Sequence, residues 1–153
     1  MNTKEDQLKA LEAQAELEEV IGQLYQAYAG RFPDQKSFWT RLASDEARHA
    51  NWVRSFRDKV VGGSIVVPED RFRMSQVEAA LNDVKDHLRR ARGQALPLES
   101  TLQTAVYIEH SLLETHLFEF LESDKPELKD LLARLHSDTE KHFHALNDLL
   151  VGG

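Results

Sequence analysis

The chain has 153 residues, 41% hydrophobic and 29% charged, the balance of one folded domain rather than of a disordered chain. Its formal charge of −7 works against nucleic acid and anionic membrane surfaces, and the absence of cysteine removes disulfides, thiolate metal sites, thiol catalysis and iron–sulfur clusters. A polar N-terminal stretch, and no apolar run near the roughly 20 residues of a membrane span, lead to the expectation of a soluble cytoplasmic protein that binds neither nucleic acid nor membrane.

The first predicted helix covers 3–29. Leu8, Leu11, Ala15, Glu18, Gly22, Tyr25 and Ala29 recur at three- and four-residue steps, and Leu17, Ile21, Leu24 and Tyr28 widen the stripe. Gly30 is expected to stop it and Pro33-Asp34 to start the next. The second helix, 34–59, places Phe38, Leu42, Asp45 or Glu46, His49, Val53 and Phe56 on one face, and Gly62-Gly63 ends it. Residues 60–97 read as a crossover. It opens with an extended Ser64–Pro68 and carries a helix over 75–92, introduced by a capping box at Ser75-Gln76-Val77-Glu78. The third long helix, 98–122, has a stripe of Leu102, Ala105/Val106, Glu109, Leu112/Leu113, His116 and Phe120. After a turn at Ser123–Glu127, the fourth runs over 125–150 with Leu128, Leu131/Leu132, Leu135, Asp138/Thr139, His142, Ala145/Leu146 and Leu149 inward. Two hairpins of equal length joined by a long crossover predict an all-α, single-domain four-helix bundle, with an extra short helix in the crossover.

A repeat lies across the two hairpins. Arg41-Leu42-Ala43-Ser44-Asp45-Glu46-Ala47-Arg48-His49 returns as Arg134-Leu135-His136-Ser137-Asp138-Thr139-Glu140-Lys141-His142. Arg, Leu, Ser, Asp and His keep their places, but Thr139 answers Glu46. Each helix preceding a repeat carries a mid-stripe glutamate, Glu18 and Glu109. A carboxylate inside a bundle costs several kcal/mol unless it is paired or bound to a metal, and no lysine or arginine occupies these stripes at that level. Glu and His at i, i+3 project from one side of a helix and can reach one ion. Carboxylate with imidazole and no thiolate suits iron or manganese, and zinc also fits.

With these motifs the sequence resembles the ferritin-like di-iron carboxylate proteins, and within them the rubrerythrin-like branch, over nearly the whole chain. The resemblance maps the lone glutamates onto Glu18 and Glu109, the first Glu-x-x-His onto Glu46 and His49, and the second histidine onto His142. It puts Tyr25 where an aromatic stands beside the metal site. It implies two iron ions, redox chemistry with peroxide or dioxygen or oxidation of ferrous iron, a small-molecule oxidant, and an electron donor whose identity the motifs do not carry. Such bundles often pair, so a homodimer is compatible with the resemblance though not forced. Without cysteine there is no attached rubredoxin-type iron centre.

Thr139 departs from the family pattern, and three outcomes stay open. Asp138, on nearly the same face, substitutes as a ligand. Water or an exogenous anion fills the position. Or the second ion is weak or missing, leaving one iron, manganese or zinc ion near Glu18, Glu46, His49 and Glu109. Plainer readings stand beside these. Glu18 is an edge glutamate; Glu46 and His49 are a hydrogen-bonded core pair; His142 is a core histidine held by Thr139. His116, about 10 Å along the axis from Glu109, suits a supporting or core position better than direct ligation. His110, His136 and His144 read as surface residues, Glu140 and His144 as a solvated pair, and Arg89-Arg90-Ala91-Arg92 as a solvated helix face.

Overall fold

Pro33 sets the first boundary. In the computed structural model, the residue before it, Phe32, is driven out of helical geometry (φ −125°, ψ 81°), as the proline ring requires. Helix α1 therefore runs over Lys4–Arg31, past the Gly30 expected to stop it. A 3-10 turn at Pro33–Gln35 leads into α2, Lys36–Val61. The structure describes residues 4–64, 74–122 and 126–152, and of residues 74, 114–122 and 128 the backbone alone. The extended segment expected over Ser64–Pro68 falls, beyond Ser64, outside the described residues. So do the turn over 123–125 and the side chains of His116, Phe120 and Leu128.

Gly62 and Gly63 close α2 as expected, through a Schellman arrangement. Gly63 takes φ +81°, its N–H reaches Val60 O at 3.1 Å, and Ser64 N–H reaches Lys59 O at 3.1 Å. Helix α3 covers Met74–Gly93 and begins ahead of Ser75, so Ser75 lies in its first turn rather than capping it. Helix α4 covers Leu98–Glu122, and α5 covers Pro126–Gly152, two residues past the expected end at 150. The protein is all-helical among its described residues, and no described helix is long and apolar enough to cross a membrane.

The chain forms two compact units, Met1–Arg92 and Gly93–Gly153. In the first, α1 and α2 are antiparallel along their length. Lys4 Nζ lies 3.5 Å from Val61 O, Arg57 Nε lies 3.6 Å from Glu12, and Tyr28 meets Trp39 at the other end. Leu11, Ile21, Leu24, Tyr25, Tyr28, Trp39, Leu42, Val53 and Phe56 fill the space between. Arg54 pairs with Glu12 and Glu19 on the outer edge, where solvent screening keeps such pairs weak. Helix α3 belongs to this unit. It buries Val77, Leu81, Val84, Leu88 and Ala91, steps of four and three that make one stripe. Lys85 reaches Glu16 at 3.2 Å, and Arg31 donates to the carbonyls of Ala91 and Arg92 at 3.2 and 3.3 Å. The crossover helix therefore lies along α1. Arg90 pairs with Asp86 at 2.8 Å and Arg89 with the same carboxylate, as a solvated face should.

In the second unit α4 packs along α5. Helix α4 buries Thr101, Leu102, Ala105, Ile108, Glu109 and Leu112, and α5 buries Leu132, Leu135, Thr139, His142 and Leu146. His110 and Phe143 meet across the pair with ring centroids 5.7 Å apart.

Candidate metal centre

Each hairpin buries charged and imidazole groups near mid-length. In the first, Glu18 from α1 and Glu46 and His49 from α2 are all 0% exposed. The choice between Glu18 and its neighbour is settled by their surroundings: Glu19 pairs with Arg54 on the outer edge, while Glu18 faces in. His49 Nδ1 lies 3.4 Å from Glu46 Oε2 and 3.7 Å from Glu18 Oε2. One ligand atom from each of the three lies within 4.8 Å of the others. Gln14, one turn before Glu18, donates from Nε2 to Glu18 Oε1 at 3.3 Å and leaves the other oxygen toward His49.

Gly22 brings α1 close to α2 at this level. A Cβ there would stand 3.4 Å from Ala43 O and 3.5 Å from Glu46 Cβ. A methyl group fits at ordinary contact distance, but a longer side chain would displace Glu46. The glycine, helix-weakening in isolation by about 1 kcal/mol relative to alanine, thus keeps the two carboxylate-bearing helices near each other.

Burial alone would lower the pKa of His49. The carboxylates of Glu18 and Glu46 overcome that and hold it at about 11, against an ordinary 6.5. In the absence of metal the centre is therefore an imidazolium between two carboxylates. The same donors fit a divalent ion. Two donors each about 2.1 Å from one ion lie about 3.0 Å apart at a right angle and about 3.4 Å apart at the tetrahedral angle. The observed 3.4 and 3.7 Å stand beside the second figure, so small side-chain movements seat an ion.

The second hairpin repeats this in reduced form. Glu109 from α4 is 0% exposed and His142 from α5 is 4% exposed, with His142 Nδ1 3.5 Å from Glu109 Oε1. Thr139, at the place of Glu46, is buried, and its Oγ1 has no hydrogen-bond partner among the described residues. It therefore does not hold His142 as a core histidine; Glu109 stands in that position. Asp138 is half-buried and forms no three-ligand group with Glu109 and His142 among the described residues. His136 is half-buried rather than on the surface, and it lies 3.7 Å from Glu140. Glu140 thus points back along α5 to His136, not forward to His144. His110 and His144 are exposed.

Tyr25 is buried, its ring 5.5 Å from that of Trp39. Periodicity selects Phe38 for this stripe, but Phe38 is half-buried and Trp39 takes the core position. Both positions lie about one turn before Leu42, and the larger ring fills the pocket between Tyr25 and Tyr28. Periodicity does not mark Trp52 either, whose half-buried ring lies 5.3 Å from His49, with Arg48 5.5 Å over its centroid. A paramagnetic ion on His49 should quench Trp52. Ferrous or cobaltous ions are expected to lower tryptophan fluorescence in the wild type, and Trp52→Phe to remove most of that change while Trp39 continues to emit.

Compared with known proteins, the chain matches no protein-family model, no curated protein and no solved structure.

Proposed function

We propose that this is a non-haem metalloprotein of the ferritin-like di-iron type, in which the two hairpins form one four-helix bundle and each contributes half of a dinuclear centre. The reaction we assign is oxidoreduction with peroxide, dioxygen or ferrous iron, in the cytoplasm, with an external electron donor. The observation that carries the reading is the buried Glu18–Glu46–His49 group. Its support is the echo in Glu109 and His142. Two carboxylates and an imidazole, with no thiolate, suit iron or manganese.

Glu18, Glu46 and His49 would hold one ion, and Glu109 and His142 the other. Redox-active ions would supply electron exchange with the oxidant. The chain's own part is positional. The helices fix the donors, Gln14 orients Glu18, and the apolar surroundings keep water away, which strengthens every charge interaction within. His49 must give up its imidazolium proton before Nδ1 can bind an ion.

A second reading is favoured by one observation. Thr139 stands buried where a carboxylate is expected, and two divalent ions would then face only Glu18, Glu46 and Glu109. A single structural zinc or manganese ion, without turnover, answers that deficit. Anaerobic loading with ferrous iron followed by peroxide separates the two. The di-iron reading expects an absorption change on peroxide addition in the loaded protein. One tightly held ion with no peroxide response would establish the structural reading instead.

A further inference from the structure

We infer that the α4–α5 hairpin carries an exchangeable ligand position beside Thr139, taken by water or by a small exogenous anion that displaces it. This rests on the metal reading above and assigns the place where a small ligand meets the centre. Thr139 precedes His142 by the same three residues by which Glu46 precedes His49. On α2 that place holds a carboxylate; on α5 it holds a hydroxyl. Threonine is smaller than glutamate by roughly the volume of one water, and it brings no charged donor.

The hydroxyl itself points to a ligand. Thr139 is 1% exposed, and its Oγ1 finds no hydrogen-bond partner among the described residues. Buried hydroxyls are nearly always satisfied. A helical threonine usually satisfies itself by donating to the carbonyl four residues back, here Leu135, and Thr139 does not. Its donor is thus kept for something else. Glu109 and His142, 3.5 Å apart, offer one charge and one imidazole, fewer donors than a divalent ion takes. Asp138 forms no three-ligand group with them among the described residues. A donor from solution adds to these two side chains of the hairpin, and Thr139 Oγ–H donates to it. An anion is favoured over water wherever the bound ions carry more positive charge than the carboxylates beside them neutralise.

Azide is a suitable probe, with cobalt(II) as an optical stand-in for iron. The cobalt-loaded wild type is expected to bind azide with a change in its visible spectrum. In Thr139→Glu the side chain occupies the position, so azide should bind at least about tenfold more weakly while cobalt is held at least as tightly. In Thr139→Val, nearly isosteric, cobalt should be retained and azide weakened about tenfold by loss of the donated hydrogen bond. That variant carries the test if the glutamate variant does not fold. Cobalt retained with equal azide affinity in all three proteins overturns this inference and leaves the metal reading standing. Failure of the wild type to retain cobalt overturns both.

Discussion

Replacing His49 by alanine is expected to cost the metal-free protein about 3–5 kcal/mol of stability, the usual penalty for removing one partner from a buried ion pair. Glu18, Glu46 and His49 are each 0% exposed. Without metal the His49 imidazolium stands 3.4 and 3.7 Å from the two carboxylates and offsets their charge. Alanine leaves two buried carboxylates facing one another and also opens a cavity. Urea unfolding in the presence of a chelator measures the loss. A change below about 1 kcal/mol, within the range of an exposed ion pair, would mean that the three groups are hydrated and not a sealed centre. The same variant should lose the ion at this half-site, with a matching loss of Trp52 quenching.

The pH dependence of stability should reverse its sense on metal binding. In the metal-free protein His49 titrates at about 11 rather than 6.5, so the folded chain holds a proton that the unfolded chain releases. The stability from this group is fully present below about 6.5 and is lost progressively as pH rises through about 11. Within that window the slope approaches about 1.4 kcal/mol per pH unit. Metal binding takes the other direction. The ion displaces the proton from Nδ1, so its apparent affinity should rise up to about tenfold per pH unit across the same window. From about pH 7 to about pH 9, then, the metal-free melting temperature should fall while the shift produced by added metal grows. Parallel pH profiles with and without metal would show that His49 is not where the ion binds.

Helix existence and the buried Glu/His positions are legible from spacing alone, because a three- and four-residue apolar period with one polar interruption fits little besides a helix whose inner face carries a polar group. The buried Glu109–His142 pair is legible as a departure rather than as a motif: Thr139 is visible only against Glu46. What spacing left open was decided by side-chain size and by partners on other helices. Glu18 and Glu19 are neighbours, and only the position of Arg54 separates them. Phe38 and Trp39 both fit the period, and the pocket between Tyr25 and Tyr28 takes the larger ring. Glu140 has a histidine on either side at four residues, and it turns to His136. Gly30 reads as a stop, yet the helix continues until Pro33 forbids it, since glycine only weakens a helix whereas proline constrains the residue before it. Placement of α3 along α1 depends on Glu16–Lys85 and on Arg31 reaching the end of α3, long-range contacts with no local signature.

Metal content tests the central claim most directly. The purified chain, reconstituted anaerobically with ferrous iron and freed of excess, should contain about two irons when Thr139 is supplemented by a solution ligand, and its melting temperature should rise, because an ion bound only by the folded state stabilises it. Glu109→Ala should lower that content, and Glu46→Ala should lower it further, since Glu46 belongs to the more complete ligand group. No retained iron, manganese or zinc, with an unchanged melting temperature, would contradict the account and leave Glu18, Glu46 and His49 as a buried charge triad of the folded chain.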